Sequence, residues 1–208
     1  MPVNEPQQRE AHNFIGVDRN TTGHPAVVVN PRTGKVWKLG KQANHTYRRY
    51  WNIRERLQKN GKFGLLKKLK DRESRIIREL NHKISMEIVN IADQNNAGIR
   101  LENLEGVRNA PNAKSFRYSL DSWSFYQLQN MIEYMSKLLG IPLEYVAPGY
   151  TSQLCSRCGM IGRRDGKEFG YACRHVDNAD VNASSNIALR HGGDISIRQR
   201  QGFVGGQH

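Results

Sequence analysis

The apolar residues of this chain change period along its length, and each change marks an element. FIGVD (14–18) is an apolar run closed by an acid, PAVVVN (25–30) is rich in β-branched side chains, and KVWKL (35–39) alternates. The joints between them, RNTTGH and PRTG (31–34), carry turn residues, so the three runs predict short strands in an antiparallel meander. From residue 65 the period lengthens. Leu65, Leu69, Ile76, Leu80, Ile84, Ile88 and Ile91 recur at offsets of three and four or their sums, which predicts one long amphipathic helix over 65–92. Asn-Asn-Ala-Gly at 95–98 stops it.

GIRLE (98–102) predicts a fourth strand, and Gly106, Pro111 and several Asn mark 106–119 as loop. Trp123, Leu128, Met131, Ile132, Met135, Leu138 and Leu139 share one face of a helix over 122–139, with Gly140 capping it. PLEYV (142–146) predicts a fifth strand, and Ala183, Ile187 and Ala188 line the inside of a last short helix at about 180–190. The aromatic residues Phe116, Tyr118, Trp123, Phe125 and Tyr126 invite base stacking, although core packing suits Trp123 and Phe125 better. No internal repeat is evident, and no stretch approaches the roughly 18 apolar residues of a membrane span.

The resulting order, β-β-β-α-β-α-β-insert-α, matches an α/β protein of the RNase H-like class, a mixed sheet with flanking helices. The expected layout is a polar leader (1–13), a core (14–149), a small insert (150–176), a final motif and helix (177–191) and a flexible Gly- and Gln-rich tail (192–208).

Charge narrows the partners. The 208 residues hold 32 Lys and Arg against 19 Asp and Glu, a net +13. Thirteen of the basic residues and only four acids fall within 48–83, so the excess is concentrated in and before the long helix. Such a surface attracts polyanions. Arg48, Arg49, Lys67, Lys68, Lys70 and, from the insert, Arg157 are candidate nucleic-acid contacts. A solvated charged face is the bland alternative, but such faces usually mix signs.

Three carboxylates stand at element ends: Asp18 closes strand one, Glu102 closes strand four, and Asp180 opens the last helix. Singly, each has an ordinary reading as a turn residue, a solvated strand end, or a first-turn acid favoured by the helix dipole. Together they say more, because strands one and four lie side by side in an RNase H-like sheet. Clustered carboxylates repel, and hard divalent cations such as Mg²⁺ or Mn²⁺ relieve that repulsion. Such ions support phosphodiester hydrolysis.

The three cysteines, Cys155, Cys158 and Cys173, are an odd, clustered set that suits a metal site better than a disulfide framework. Cys155-Ser-Arg-Cys158-Gly159 reads as a metal-binding knuckle, and the strand–helix context of a redox pair is absent. No fourth cysteine exists, so His175 is the candidate fourth ligand for Zn²⁺. A degenerate or partly filled site is the alternative reading.

YTSQLCSRCG (150–159) and NADVNASSNIA (178–188) resemble the C-terminal signature of TnpB proteins, transposon-encoded nucleases related to the type V CRISPR effectors. GVDRN (16–20) and IRLENLEGVR (99–108) resemble the first and second RuvC motifs of that family, and NHKIS (81–85) and residues 122–141 resemble its flanking helices. The resemblance implies a RuvC nuclease core with Asp18, Glu102 and Asp180 as metal-binding catalytic acids and a zinc ribbon inserted before the third. It implies an RNA-guided DNA endonuclease, or one derived from such an ancestor. DNA, a guide RNA and a separate subunit supplying an N-terminal half would then be the partners, in the cytoplasm of a prokaryotic cell and on the nucleoid when DNA is bound. The competing reading is a truncated, non-cleaving nucleic-acid-binding relic or accessory subunit. Two departures from the family pattern stand out: only about thirteen residues precede the first motif, and Gly170 stands where the second knuckle's first cysteine belongs.

Overall fold

β-Branched and aromatic side chains suit a pleated, half-buried surface, and the three opening runs are strands: β1 (Phe14–Arg19), β2 (Ala26–Asn30) and β3 (Lys35–Leu39). The computed structural model describes residues 6–20, 23–103, 120–149, 151–165, 168–170, 173–174 and 176–190. After the meander come α1 (Lys41–Lys59), α2 (Phe63–Gln94), β4 (Gly98–Glu102), α3 (Leu120–Leu138) and β5 (Leu143–Val146). Three strands of three residues each follow, β6 (Arg163–Asp165), β7 (Glu168–Gly170) and β8 (Val176–Asn178), and then α4 (Ala179–Leu189).

The main sheet has the order β3-β2-β1-β4-β5. β1 pairs antiparallel with β2 and parallel with β4, and β5 extends the parallel half beside β4. Parallel neighbours need long crossovers, which the α1–α2 pair and α3 supply. Strands one and four are thus adjacent, as expected of an RNase H-like sheet. The three short strands form a separate sheet in the order β6-β7-β8.

Pleating sorts the side chains between two faces. Ile15 and Val17 of β1 and Ile99 and Leu101 of β4 are fully buried on one face, packed in a core with Ile84, Ile88 and Ala92 of α2 and Leu128 and Ile132 of α3. α4 covers the opposite face at Gly16, where a Cβ would lie 2.5 Å from the Ala188 backbone nitrogen. Only a glycine lets helix and strand backbones come this close. At the end of α3, Gly140 takes a left-handed φ of 64°, and the Ile141 N–H donates to the Ser136 carbonyl at 2.8 Å. That closes the helix in the manner expected of a C-terminal glycine.

Two features depart from the periodicity. Helix α1 is absent from the expected order. It buries Ala43 and Tyr50 among its described side chains, and Trp51 is exposed, so its apolar stripe is too thin to stand out. The buried stripe of α2 follows the expected one at Ile84, Ile88 and Ile91 but departs from it toward the N-terminus, where Glu73, Ile77 and Asn81 are buried while Leu65 is exposed and Ile76 and Leu80 are half-buried. Polar members are tolerated because they have partners: Glu73 pairs with Arg54 of α1, and Asn81 donates to Gln127 of α3 at 3.1 Å. At the end of α3, Leu138 and the following Leu139 are exposed rather than on the core face. Among the described residues, no helix is long and apolar enough to cross a membrane.

Candidate functional site

The parallel register pairs Val17 with Leu101. One residue further on, Asp18 and Glu102 stand at the carboxyl ends of neighbouring strands, which run about 4.8 Å apart. Both belong to the pleat face of Gly16 and Arg100, the face that α4 covers. Arg100 makes this contact directly, its Nη1 donating to the Ala188 carbonyl at 2.7 Å. Ser184 Oγ lies 2.8 Å from the carbonyl of Val27, the β2 partner of Asp18, and 2.9 Å from the carbonyl of Asp180. One hydroxyl therefore ties the first turn of α4 to the strand position beside Asp18. Asp180 is buried there, and its N–H donates to the N-cap side chain of Asn178 at 3.1 Å.

The carboxylates have distinct surroundings. Asn20 Nδ2 donates to Asp18 Oδ2 at 2.9 Å. Thr151 Oγ1 donates to Glu102 Oε1. Burial holds the Glu102 carboxyl above its ordinary range, against the opposing pull of the Thr151 hydroxyl and the charges of Arg19 and Arg190. A carboxyl so placed gains from a nearby cation. Arg19 points away from α4 and is itself buried. Its Nη2 donates to the Glu102 carbonyl and its Nη1 to Gln129 Oε1, both at 2.7 Å. Asp18, Glu102 and Asp180 thus converge on one end of the sheet. Their oxygens are not drawn as close together as the sulfurs described next.

Those sulfurs form the tightest potential metal set among the described residues: Cys155, Cys158 and Cys173 lie within 4.8 Å of one another. Cys155 and Cys173 are 3.8 Å apart, too far for a disulfide, and all three thiols are free. The knuckle closes through the Gly159 N–H to the Cys155 carbonyl at 2.9 Å and the Cys155 N–H to the Met160 carbonyl at 2.8 Å. Burial pushes the Cys155 thiol up, whereas backbone hydrogen bonding, led by Met160, lowers that of the exposed Cys158. Three thiols in this arrangement can hold a metal ion. His175 lies outside the described residues, as do Phe116 and Tyr118.

Arg48, Arg49, Lys67, Lys68 and Lys70 are all exposed on the α1–α2 pair, and Arg157 is exposed on the knuckle. Within 48–83, ion pairs tie up Arg54, Lys59 and Lys83, none of which is in this set.

Sequence patterns did not point to Arg19, Gln129, Thr151, Asn182 or Asn186. Their polar side chains turn inward toward partners far along the chain, and no local period signals that.

The family model for the Cas12f1-like TNB domain matches residues 125–187. A TnpB-like protein of Methanocaldococcus jannaschii is 38% identical over 127 residues, covering 59% of this chain and 46% of that protein. A CRISPR-associated endodeoxyribonuclease Cas12f1 of Sulfoacidibacillus thermotolerans is 36% identical over 129 residues, covering 60% of this chain and 29% of that protein. The chain is thus similar to TnpB-like proteins and to Cas12f1 over its matched part. A TnpB-like protein of Aquifex aeolicus aligns over more of this chain, with 27% identity across 88% of it and 69% of the relative. The fold agrees: a cryo-EM structure of a Cas12f1-sgRNA-target DNA complex superposes with a TM-score of 0.71 at 22% identity, over 88% of this chain and 51% of that one. The chain spans less than half the length of the first two relatives.

Proposed function

We infer that this chain is the nuclease part of a TnpB-like, metal-dependent DNA endonuclease, RNA-guided or descended from an RNA-guided ancestor. Asp18, Glu102 and Asp180 are its catalytic acids in this reading. The observation that carries it is the meeting of Asp18 and Glu102 at the ends of adjacent parallel strands, beneath the helix that brings Asp180. The donor set is all oxygen, which suits Mg²⁺ or Mn²⁺. Ions held there would supply an activated water and stabilise the leaving oxygen.

The chain's own residues do the rest. Arg19 fixes the end of β4 from behind, through the Glu102 carbonyl. The exposed cations of the α1–α2 pair, with Arg157, hold phosphates. Cys155, Cys158 and Cys173, with His175 as fourth donor, hold Zn²⁺. A Zn–S bond of about 2.3 Å gives a tetrahedral S···S edge of about 3.8 Å, which the Cys155–Cys173 separation of 3.8 Å matches. Its role is to order the segment 150–176. The core 14–149 and the motif 177–191 together make the nuclease unit. DNA, a guide RNA and the remainder of a TnpB-like assembly are the partners.

The test is cleavage of DNA by the purified chain with Mg²⁺ or Mn²⁺, with and without guide RNA and the rest of the assembly. Asp18→Ala should abolish cutting, and undiminished cutting by that variant would sink the assignment. Salt-sensitive binding with no turnover under any divalent ion would favour the non-cleaving alternative.

A further inference from the structure

Asn182 and Asn186 stand one turn apart on α4, and neither suits a helix interior on propensity. Both are buried, Asn182 completely. Among the described residues, their side-chain hydrogen bonds run to one irregular segment. Asn182 Oδ1 accepts from the Ser156 N–H at 2.9 Å, and its Nδ2 donates to the Leu154 carbonyl at 2.8 Å. Asn186 Nδ2 donates to the carbonyls of Thr151 at 2.8 Å and Leu154 at 2.7 Å.

At about 100° per residue, positions 182 and 186 lie opposite 180 and 184 on the helix. One face of α4 therefore rests on the sheet at Gly16 and carries Asp180, and the other grips residues 151–156. That segment has two functional ends. Cys155 belongs to the thiol set. Thr151 is buried, and its hydroxyl donates to Glu102.

We propose that Asn182 and Asn186 are positioning residues, a pair of carboxamides that clamps 151–156 to α4 and makes the thiol cluster and the acid pocket one mechanical unit, with Thr151 the link to Glu102. The clamp stands on geometry alone, and its bearing on catalysis rests on the nuclease reading above. Metal at the thiols then orders Leu154 and Ser156, the points α4 holds, and through them Thr151 and the first turn of α4. The network transmits order because a buried carboxamide that loses a partner cannot turn to water instead.

The test is residue-resolved hydrogen exchange on the reduced full chain, without metal and with Zn²⁺ alone as probe. In Asn182→Ala, the Ser156 amide should exchange about threefold to tenfold faster than in wild type, the range that one such hydrogen bond supports. Asn182→Asp, which keeps an acceptor for Ser156 but loses the donor to Leu154, should fall between them and guards against a variant that merely unfolds. Zn²⁺ should slow exchange in wild type from the knuckle through Thr151 into α4, whereas in Asn186→Ala the slowing should stop within 155–160. Unchanged Ser156 exchange in Asn182→Ala overturns the proposal whether or not metal binds. Equal spread of protection in wild type and Asn186→Ala overturns it too. A wild-type chain that cuts no DNA but shows the expected exchange would sink the nuclease reading and leave the clamp standing. Mn²⁺ affinity that falls severalfold in Thr151→Val and recovers in Thr151→Ser would extend the clamp to the acid pocket, and an unchanged affinity would break that link.

Discussion

Gly16→Ala offers the sharpest test of how α4 meets the sheet. A methyl at this position would sit 2.5 Å from the Ala188 nitrogen and 2.9 Å from the Ala188 Cβ, and closer still to the Ser184 carbonyl oxygen. Two of these three atoms are backbone, so no rotamer change relieves the clash. Ordinary carbon contacts need about 3.5–4.0 Å, so α4 must retreat by on the order of 1 Å or more. That retreat loosens the packing of Ala183, Ile187 and Ala188, all buried, and stretches the Ser184 contact to Val27. The cost should reach about 3 kcal/mol, the upper end for overpacking. The sign is diagnostic, because alanine elsewhere in a strand gains about 0.5–1 kcal/mol over glycine. Gly64 in the first turn of α2, where a Cβ would meet nothing within 4 Å, is the control. Gly64→Ala should stabilise by up to about 1 kcal/mol. Urea unfolding followed by far-UV circular dichroism measures both. A Gly16→Ala protein within about 0.5 kcal/mol of wild type would refute the close approach, since that is the scatter of surface substitutions.

Arg19→Met leaves the Glu102 carbonyl and Gln129 without their buried donor, and should cost about 2–4 kcal/mol in urea unfolding; a loss under about 0.5 kcal/mol, within the scatter of surface changes, would contradict the burial of that charge. Burial, then its hydrogen bond to Glu133, holds the Tyr145 phenol above its ordinary range. The folded state therefore keeps a proton that the unfolded state gives up near pH 10. Its contribution is complete below that pH and declines as pH rises further, so the stability gap between wild type and Tyr145→Phe should narrow above about pH 10 in pH-stepped unfolding; a gap that stays constant would refute the assignment. Replacing Lys67, Lys68 and Lys70 with Gln should reduce the slope of log affinity for DNA against log salt by about one per contacting side chain. An unchanged slope would mark that face as solvated charge only.

The sheet was legible because its strands are built of β-branched runs with turn residues at their joints, and because parallel order follows from helices set between them. α1 was not, since its charged, mostly exposed surface leaves a stripe little wider than Ala43 and Tyr50. The strands β6, β7 and β8 are three residues each, too short for an alternation to register. The acids stood out by their place at strand and helix ends. The residues that hold them did not. Arg19 reaches Gln129 across 110 positions, and Thr151 reaches Glu102 across 49. A buried polar side chain is defined by its partner, and only the folded chain supplies that partner.

The three carboxylates reach their places by different routes, and this separates their responses to damage. Asp18, next to last in β1, and Glu102, last in β4, follow Val17 and Leu101, which are fully buried in the main core, so the sheet sets their backbones. Asp180 rides on an eleven-residue helix, ADVNASSNIAL, rich in Ser and Asn. Such a helix is too short and too poor in helix formers to persist alone in water. Its shape comes from contacts on two sides, the sheet at Gly16 and Val27 and the segment 151–156. Loss of order at the knuckle removes one of those sides while leaving the strands intact. Asp180 should therefore lose its position first, and a protein damaged at the cysteines should keep its sheet while losing the third acid.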